Sequence, residues 1–211
     1  MKFKLFLFSF LCHFSCLTNN AFGQEAFTID GQNCGMEGSA KRVNDKQLNR
    51  LKNRFLAPTK AQMNADFNWI TLAELEDDRA KFSVENGVIL RGYVLRVTMG
   101  GAETCNCNSK TYEFRDTHIV ITPDATQTGI SNQVVIEITP RMRAIMATRG
   151  VDWSQAALKK LRGQYIDVEG WLFYDYKHGD KSAKVRKNST AVTRSTAWEI
   201  HPITRLNVVK N

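Results

Sequence analysis

The sequence predicts a mainly β protein, a five-stranded barrel with a helix between the third and fourth strands and helices on its N-terminal side. Segments rich in β-branched and alternating apolar residues recur from Val88 onward, a composition typical of strands. The first segment, VILRGYVLRVT, has Gly92 at its centre, as expected where a strand bends to close a barrel. Pro140 directly follows Thr139, which marks the start of a helix after the third segment.

Each element has its own signal in the chain. The five predicted strands span residues 88–98, 112–122, 133–139, 165–174 and 203–209. The helix that begins at Pro140 is expected to end before Gly150, and Asp152 with Gln155 predicts a second helix that runs to Leu161. Alternation in the fourth strand puts Ile166, Val168 and Leu172 on one face and Asp167, Glu169, Trp171 and Phe173 on the other.

Residues 1–23 have the order of features of a secretory signal peptide. Lys2 and Lys4 precede an apolar run, and Ala21 and Gly23 supply small residues near a cleavage position. The apolar run is about 13 residues long, shorter than the ~20 that a membrane-spanning helix needs. We therefore expect an exported protein, periplasmic or extracellular, without a transmembrane segment. The remaining chain divides into an N-terminal helical segment, 24–83, that packs on the barrel, and the barrel domain, 84–211.

The chain without its signal peptide is moderately basic. Removing Lys2 and Lys4 leaves 27 basic residues against 21 acidic ones, a net charge of +6. Such a balance favours polyanionic partners, such as nucleic acid or an acidic glycan, although bulk charge describes association and not a site.

A basic amphipathic helix is predicted within residues 39–56, ended by Pro58. Its apolar stripe consists of Val43, Leu48, Leu51 and Phe55. The stripe packs on the barrel or docks on a partner protein, while the basic face is either solvated or a polyanion-binding surface. Thr71 and Glu74 predict a capping box for a further short helix.

The order strand, strand, strand, helix, strand, strand resembles the OB-fold, a five-stranded barrel that binds oligonucleotides and oligosaccharides. Four short motifs also resemble those of a group of bacterial secreted proteins that have no assigned activity. These motifs are DTHIVI (116–121), EITPR (137–141), VEGWLFYD (168–175) and WEIHPIT (198–204). The resemblance implies a barrel with polar residues borne on its strands, and it implies no substrate.

Three cysteines remain once the signal peptide is removed: Cys34, Cys105 and Cys107. In an oxidising compartment, one disulfide is expected between Cys34 and either Cys105 or Cys107, which leaves one free thiol. Metal ligation by Cys105 and Cys107 is the alternative, although three cysteines fall short of a self-contained zinc motif.

Two histidines lie two residues from a carboxylate in predicted strands, so each pair projects from one face of its strand. The candidate metal-ligating or acid–base residues are Asp116, His118, Glu137, Glu199 and His201. Imidazole with carboxylate suits a divalent zinc or manganese ion. The alternative is a set of exposed or salt-bridged strand residues. No recognised catalytic motif occurs, so no cofactor is predicted beyond such a metal, and an enzyme is not the leading expectation.

The connection 175–197 is long for a barrel loop and strongly basic, and long loops are commonly functional or disordered. In an OB-type barrel, this loop contacts the ligand, and cations with aromatic platforms suit a single-stranded polyanion. The candidate ligand-binding residues are Trp171, Phe173, Tyr176, Lys177, Lys184, Arg186, Lys187 and Arg194. A solvated loop with covered aromatic residues is the alternative.

These observations rank three functions. The leading one is an exported OB-like module that binds an extended polyanion, either an oligonucleotide or an oligosaccharide. A metal-dependent hydrolase built on the histidine and carboxylate residues comes second. A structural or interaction subunit of the cell envelope, which docks a partner through the 39–56 helix, comes third.

Overall fold

The computed structural model describes residues 27–63, 69–72, 82–177 and 193–210. The predicted signal peptide and residues 178–192 of the basic loop lie outside these ranges. The predicted short helix that begins at Thr71 also lies outside them, apart from Thr71 and Leu72. None of the helices in the described part of the chain is both long and apolar enough to cross a membrane.

The described residues form eight strands and three α-helices. The strands are β1 (Thr28–Ile29), β2 (Gln32–Asn33), β3 (Trp69–Ile70), β4 (Gly87–Met99), β5 (Thr117–Thr122), β6 (Val134–Ile138), β7 (Tyr165–Tyr174) and β8 (Trp198–Val208). The helices are α1 (Val43–Lys52), α2 (Pro140–Thr148) and α3 (Gln155–Lys159). Short 3-10 turns occupy Thr104–Asn106, Tyr112–Phe114 and Ile130–Asn132.

Strands β4 to β8 close into a barrel. The hydrogen-bonded order is β4, β5, β6, β8, β7, and β7 pairs again with β4. The β6–β8 pair is parallel, with Ile136 opposite Ile200, and the other four pairs are antiparallel. The predicted mainly β, five-stranded barrel is therefore confirmed at this level.

Strand β4 bends sharply because its first half pairs with β7 and its second half with β5. Gly92 lies in the middle of this bend, where an added Cβ would be 2.9 Å from the Ile121 side chain. The register also shifts between Val94 and Arg96, and a bulge of this kind increases strand bending. The glycine permits the close approach that closure of the barrel requires.

The interior of the barrel is apolar, and alternate residues of each strand point into it. Ile119, Ile136, Ile138, Leu172 and Ile200 are fully buried in one hydrophobic cluster. Since side chains alternate between faces, the residues between them project outward. The outer face of β5, β6, β8 and β7 thus receives the polar residues that the next subsection describes.

Caps define the ends of the helices that follow β6. Thr139 Oγ1 accepts a hydrogen bond from the Met142 N–H at 3.1 Å, ahead of Pro140. Ser154, and not the predicted Asp152, caps α3 by accepting from the Ala157 N–H at 3.2 Å. Asp152 accepts instead from the Ser154 N–H, which stabilises the turn before the helix.

Several predicted boundaries were wrong. The second strand begins at Thr117, because Tyr112–Phe114 forms a 3-10 turn. The fifth begins at Trp198 and not at Ile203, because Trp198, Glu199 and Ile200 already pair with β7 and are buried. The predicted alternation of the fourth strand is confirmed: Ile166, Val168 and Leu172 belong to the hydrophobic cluster inside the barrel, whereas Trp171 and Phe173 lie on the other face.

Candidate functional site

A buried polar cluster lies on the outer face of the barrel. Asp116 precedes β5, His118 and Glu137 face each other across β5 and β6, and Glu199 and His201 alternate with the inward-facing Ile200 on β8. Strand β6 pairs with β5 on one side and with β8 on the other. The strands that carry His118 and His201 therefore lie on opposite sides of Glu137. All five residues predicted as metal-ligating therefore meet in one place.

Helix α1 and the connection between β4 and β5 cover this cluster. Asn49 donates a 2.7 Å hydrogen bond to the Glu37 carbonyl and one of 3.1 Å to Thr104. Asn53 donates to the carbonyls of Met36 and Cys105. These amides attach the helix to the segments on either side, and both asparagines are almost completely buried.

A disulfide between Cys34 and Cys107, which are 73 residues apart, ties the N-terminal segment to the same connection. Of the two pairings that the sequence left open, this is the one in the structure, and Cys105 is a free, buried thiol. Arg141 strengthens the attachment because its guanidinium donates a 2.8 Å hydrogen bond to the Cys34 carbonyl.

His201 lies at the centre of the cluster and is fully buried. Its two ring nitrogens face different carboxylates. Nδ1 lies 3.0 Å from Glu137 Oε2 and 3.6 Å from Glu199 Oε2, whereas Nε2 lies 3.8 Å from Asp116 Oδ2. The Nδ1 contacts are close in distance but poorly aligned for hydrogen bonds. His201 is thus placed between a carboxylate on each side of its ring.

Asp116 connects His201 to a second group of polar atoms. The Cys105 Sγ lies 3.9 Å from Asp116 Oδ2 and 3.5 Å from Glu103 Oε2. Glu103 in turn forms a 2.6 Å ion pair with the Lys52 ammonium on α1. Two groups of three potential metal ligands result, one of Glu103, Cys105 and Asp116 and the other of Asp116, Glu137 and His201.

Burial and neighbouring charges shift the pKa values of these groups in opposite directions. Burial alone would lower the pKa of His201, but the charge of Glu137 raises it to about 10. Burial favours the neutral form of Glu137, yet the charges of His118 and His201 hold its pKa well below the usual range. Burial raises the pKa of Asp116 and, with the Asp116 charge, that of the Cys105 thiol. Glu137 and His201 therefore form an ion pair, while Cys105 is protonated.

Several buried atoms of the cluster have no hydrogen-bond partner among the described residues. They are Asp116 Oδ1, His118 Nε2, Glu137 Oε2, Glu199 Oε2 and both ring nitrogens of His201. A buried polar atom without a partner is energetically costly, and native proteins rarely retain several in one place. Among the described residues, the cluster therefore leaves several buried polar atoms unsatisfied.

Two of the five predicted residues, Glu199 and His118, differ from the others, the first in having an arginine partner and the second in its solvent exposure. Glu199 is paired with Arg194, whose guanidinium also lies 3.9 Å from Asp175. The His118 side chain is 26% exposed at the rim, with Nε2 3.2 Å from Glu137 Oε1. Asp116, Glu137 and His201 remain as the buried centre. Of the alternative of exposed or salt-bridged strand residues, exposure does not describe these three, whereas salt bridging does describe the His201–Glu137 contact.

The predicted aromatic ligand platforms are buried. The Trp171 indole N–H donates a 2.8 Å hydrogen bond to the Leu56 carbonyl, and the Arg54 guanidinium stacks on its ring. Phe173 is 2% exposed and packs against His201. The chain segments around α1 cover most of both rings, and of the two only Phe173 also lines the cavity described below.

The predicted cationic ligand residues have different positions. Arg194 is buried in its ion pair with Glu199, so it cannot contact a ligand. Tyr176 and Lys177 are exposed at the end of β7. Lys184, Arg186 and Lys187 lie outside the described residues.

A cavity of about 280 Å³ opens beside the buried cluster. It lies between α1, the β4–β5 connection and the start of the β7–β8 connection. Lys52, Glu103, Phe173, Tyr176 and Lys177 are among its lining residues. Lys52 and Glu103 also belong to the polar cluster, so one ion pair borders both the cavity and the buried centre.

Lys52, Asn49, Asn53, Glu103 and Cys105 complete the site, and sequence reasoning did not assign them there as a group. Lys52, Asn49 and Asn53 follow one another at helical spacing around a face of α1 and its C-terminal end. A polar stripe at this spacing is the one signal that could have indicated these three residues. Other polar and charged residues occur all around the helix, so the stripe cannot be distinguished in the sequence.

A scan against protein-family models finds no match, and a search of curated proteins finds none with significant similarity.

Proposed function

We propose that the protein is an exported OB-type binding module for an extended polyanionic ligand, an oligonucleotide or an oligosaccharide. The support for the OB-type assignment is the cyclic order of strands β4, β5, β6, β8 and β7, with the parallel β6–β8 pair and with α2 between β6 and β7. Support for export comes from the features of residues 1–23.

One observation carries the proposed binding function. In OB-type barrels, ligands contact the loops between the first and second and between the fourth and fifth strands. The equivalent connections here, which follow β4 and β7, meet at the 280 Å³ cavity. A cavity of this size is at the lower limit for a small-molecule site, so we infer that it accepts a single terminal unit of the ligand.

The chemistry of the cavity rim fits an anionic sugar or nucleotide unit. Lys177 and Tyr176 are exposed there, and Tyr176 is 50% exposed. Among the residues that the structure describes, the Lys177 ammonium makes one long contact, 3.8 Å from Asp45, so it has capacity for a ligand anion. The sequence continues from this rim with Lys181, Lys184, Arg186 and Lys187, which supply charge for the rest of an extended ligand.

Fluorescence anisotropy with labelled single-stranded oligonucleotides and acidic oligosaccharides at low and moderate salt tests the proposal. We expect binding that weakens with salt, with a slope reduced by about 1 in the Lys177→Gln variant. Tyr176→Ala should weaken binding as well. Lys160→Gln, an exposed lysine outside the cavity, is the matched control and should change little. No binding at low salt, or equal loss in the control, would contradict the proposal.

The two other predicted functions have less support. A hydrolase needs water and substrate at the metal, but the side chains of Asp116, Glu137 and His201 are at most 4% exposed. Of the apolar stripe proposed for partner docking, Phe55 packs against the barrel core and is not free for a partner, whereas Val43 is 69% exposed.

A further inference from the structure

We infer that the buried cluster is a binding site for one divalent ion of the zinc class, held by Asp116, His201 Nε2 and Cys105. This inference does not rest on the proposed polyanion function, because none of the three residues lines the cavity.

The ligand atoms are arranged around one carboxylate oxygen. Asp116 Oδ2 lies 3.8 Å from His201 Nε2 and 3.9 Å from Cys105 Sγ. Ligand atoms at zinc bond lengths of about 2.0–2.3 Å in tetrahedral geometry are about 3.3–3.7 Å apart. Asp116 belongs to both groups of potential ligands, one with Glu103 and Cys105 and the other with Glu137 and His201, so an ion held by Asp116, Cys105 and His201 together requires the Cys105 and His201 side chains to move toward each other. Glu103 Oε2, 3.5 Å from the same sulfur, is in position to be the fourth ligand.

The unpartnered atoms provide the second line of argument. Asp116 Oδ1 and His201 Nε2 are buried without hydrogen-bond partners among the described residues. Carboxylate oxygens cannot donate to each other, so additional carboxylates do not relieve this cost. A divalent ion that displaces the Nε2 proton of His201 and the thiol proton of Cys105 would be coordinated by the imidazole, the thiolate and the Asp116 carboxylate, since metal ligands must be deprotonated. The combination of imidazole, thiolate and carboxylate is the ligand set that zinc accepts.

Glu137 has a separate role as a positioning residue. Its Oε2 lies 3.0 Å from His201 Nδ1, on the side of the ring opposite Asp116. A carboxylate that contacts the second nitrogen of a metal-bound histidine fixes the orientation of the ring. Lys52 neutralises part of the remaining negative charge through its ion pair with Glu103.

Metal analysis of the full chain, expressed from Met1 and purified without chelators, tests the inference. We expect one bound ion per chain by inductively coupled plasma mass spectrometry, and a rise in melting temperature when Zn²⁺ is added to chelator-treated protein. In the cobalt-loaded protein, we expect a thiolate-to-cobalt charge-transfer band that the Cys105→Ser variant lacks.

The variants separate this site from adventitious binding. Asp116→Asn and His201→Gln should abolish stoichiometric binding, and Glu137→Gln should weaken it by about 10- to 100-fold. His118→Gln is the matched control, because this histidine lies on the neighbouring strand and contacts Glu137 without belonging to the ligand group. Since His201→Gln could unfold the chain, the near-isosteric Asp116→Asn and Cys105→Ser variants decide the outcome. No bound or stabilising Zn²⁺, or equal binding by Asp116→Asn, would overturn the inference.

Discussion

Arg194 and Glu199 form an ion pair that is almost completely removed from solvent on the outer face of the barrel: the side chain of Arg194 is 9% exposed and that of Glu199 1% exposed. Glu199 follows the start of β8, and Arg194 precedes that strand by only a few residues. The pair thus fixes the end of the β7–β8 connection on the barrel. Loss of one partner would leave the other as an uncompensated buried charge.

The Arg194→Met variant should therefore be strongly destabilised. We expect the free energy of unfolding to fall by about 3–5 kcal/mol, the cost of breaking a buried pair. Urea denaturation measures the change. Arg205→Met is the matched control: Arg205 pairs with Glu169 at 3.0 Å but is 61% exposed, so its loss should cost about 1 kcal/mol or less. Equal losses of unfolding free energy in the two variants would contradict the prediction that the buried ion pair contributes more to stability than the exposed one.

The Cys34–Cys107 disulfide should stabilise the attachment of the N-terminal segment to the barrel. Replacing both cysteines with alanine should lower the unfolding free energy by about 2–4 kcal/mol, because the unfolded chain gains conformational entropy. Denaturation curves with and without reductant provide the measurement. The wild-type chain should lose stability on reduction, whereas the double variant should not respond. A wild-type chain of unchanged stability after complete reduction would refute the prediction.

Gly170 should be intolerant of any side chain. A Cβ at this position would overlap the Pro202 carbonyl oxygen and lie 2.6 Å from Ile200 Cγ2. The Gly170→Ala variant should lose about 1–3 kcal/mol of stability, because the backbone of β8 must move. Gly101→Ala is the control, since nothing lies within 4 Å of a Cβ there, and its effect should be about 0.5 kcal/mol or less. Melting temperatures of the two variants would test the contrast.

Trp171 should contribute to stability and not to ligand binding. The Trp171→Phe variant loses the hydrogen bond to Leu56, and we expect a cost of about 1 kcal/mol. Affinity for any polyanion that the wild-type chain binds should remain unchanged in the anisotropy assay. Tyr176→Ala serves as the comparison because its ring is exposed at the cavity. A large loss of affinity in Trp171→Phe alone would restore Trp171 as a ligand platform.

The helical segment before the barrel shows where sequence reasoning was incomplete. The predicted apolar stripe does not define the buried face of α1, because Val43 is 69% exposed whereas Asn49 and Asn53 are buried. Phe55 does pack against the core. The buried asparagines bind backbone carbonyls of other segments, and no periodicity of apolar residues can indicate such partners.

The candidate site was predictable only in part. The spacing of Asp116 with His118 and of Glu199 with His201 correctly placed each pair on one face of its strand, since side chains alternate in any extended strand. The burial of these residues depends on α1 and the β4–β5 connection, which cover the outer face of the barrel. Cys105, Glu103 and Lys52 reach the cluster through the β4–β5 connection and α1, and the charge of Lys52 acts on Asp116, which is 64 residues away in sequence.

Local pattern therefore determined that this chain forms a mainly β barrel of five strands, because β-branched composition, alternation and a central glycine act within a single strand. The closure of β4 against both β5 and β7, the choice of Cys107 over Cys105 for the disulfide, and the burial of Trp171 were decided by tertiary structure. Each of them depends on contacts between distant segments, whose distances and solvent exposure are fixed only when the whole barrel and its covering helix have packed together.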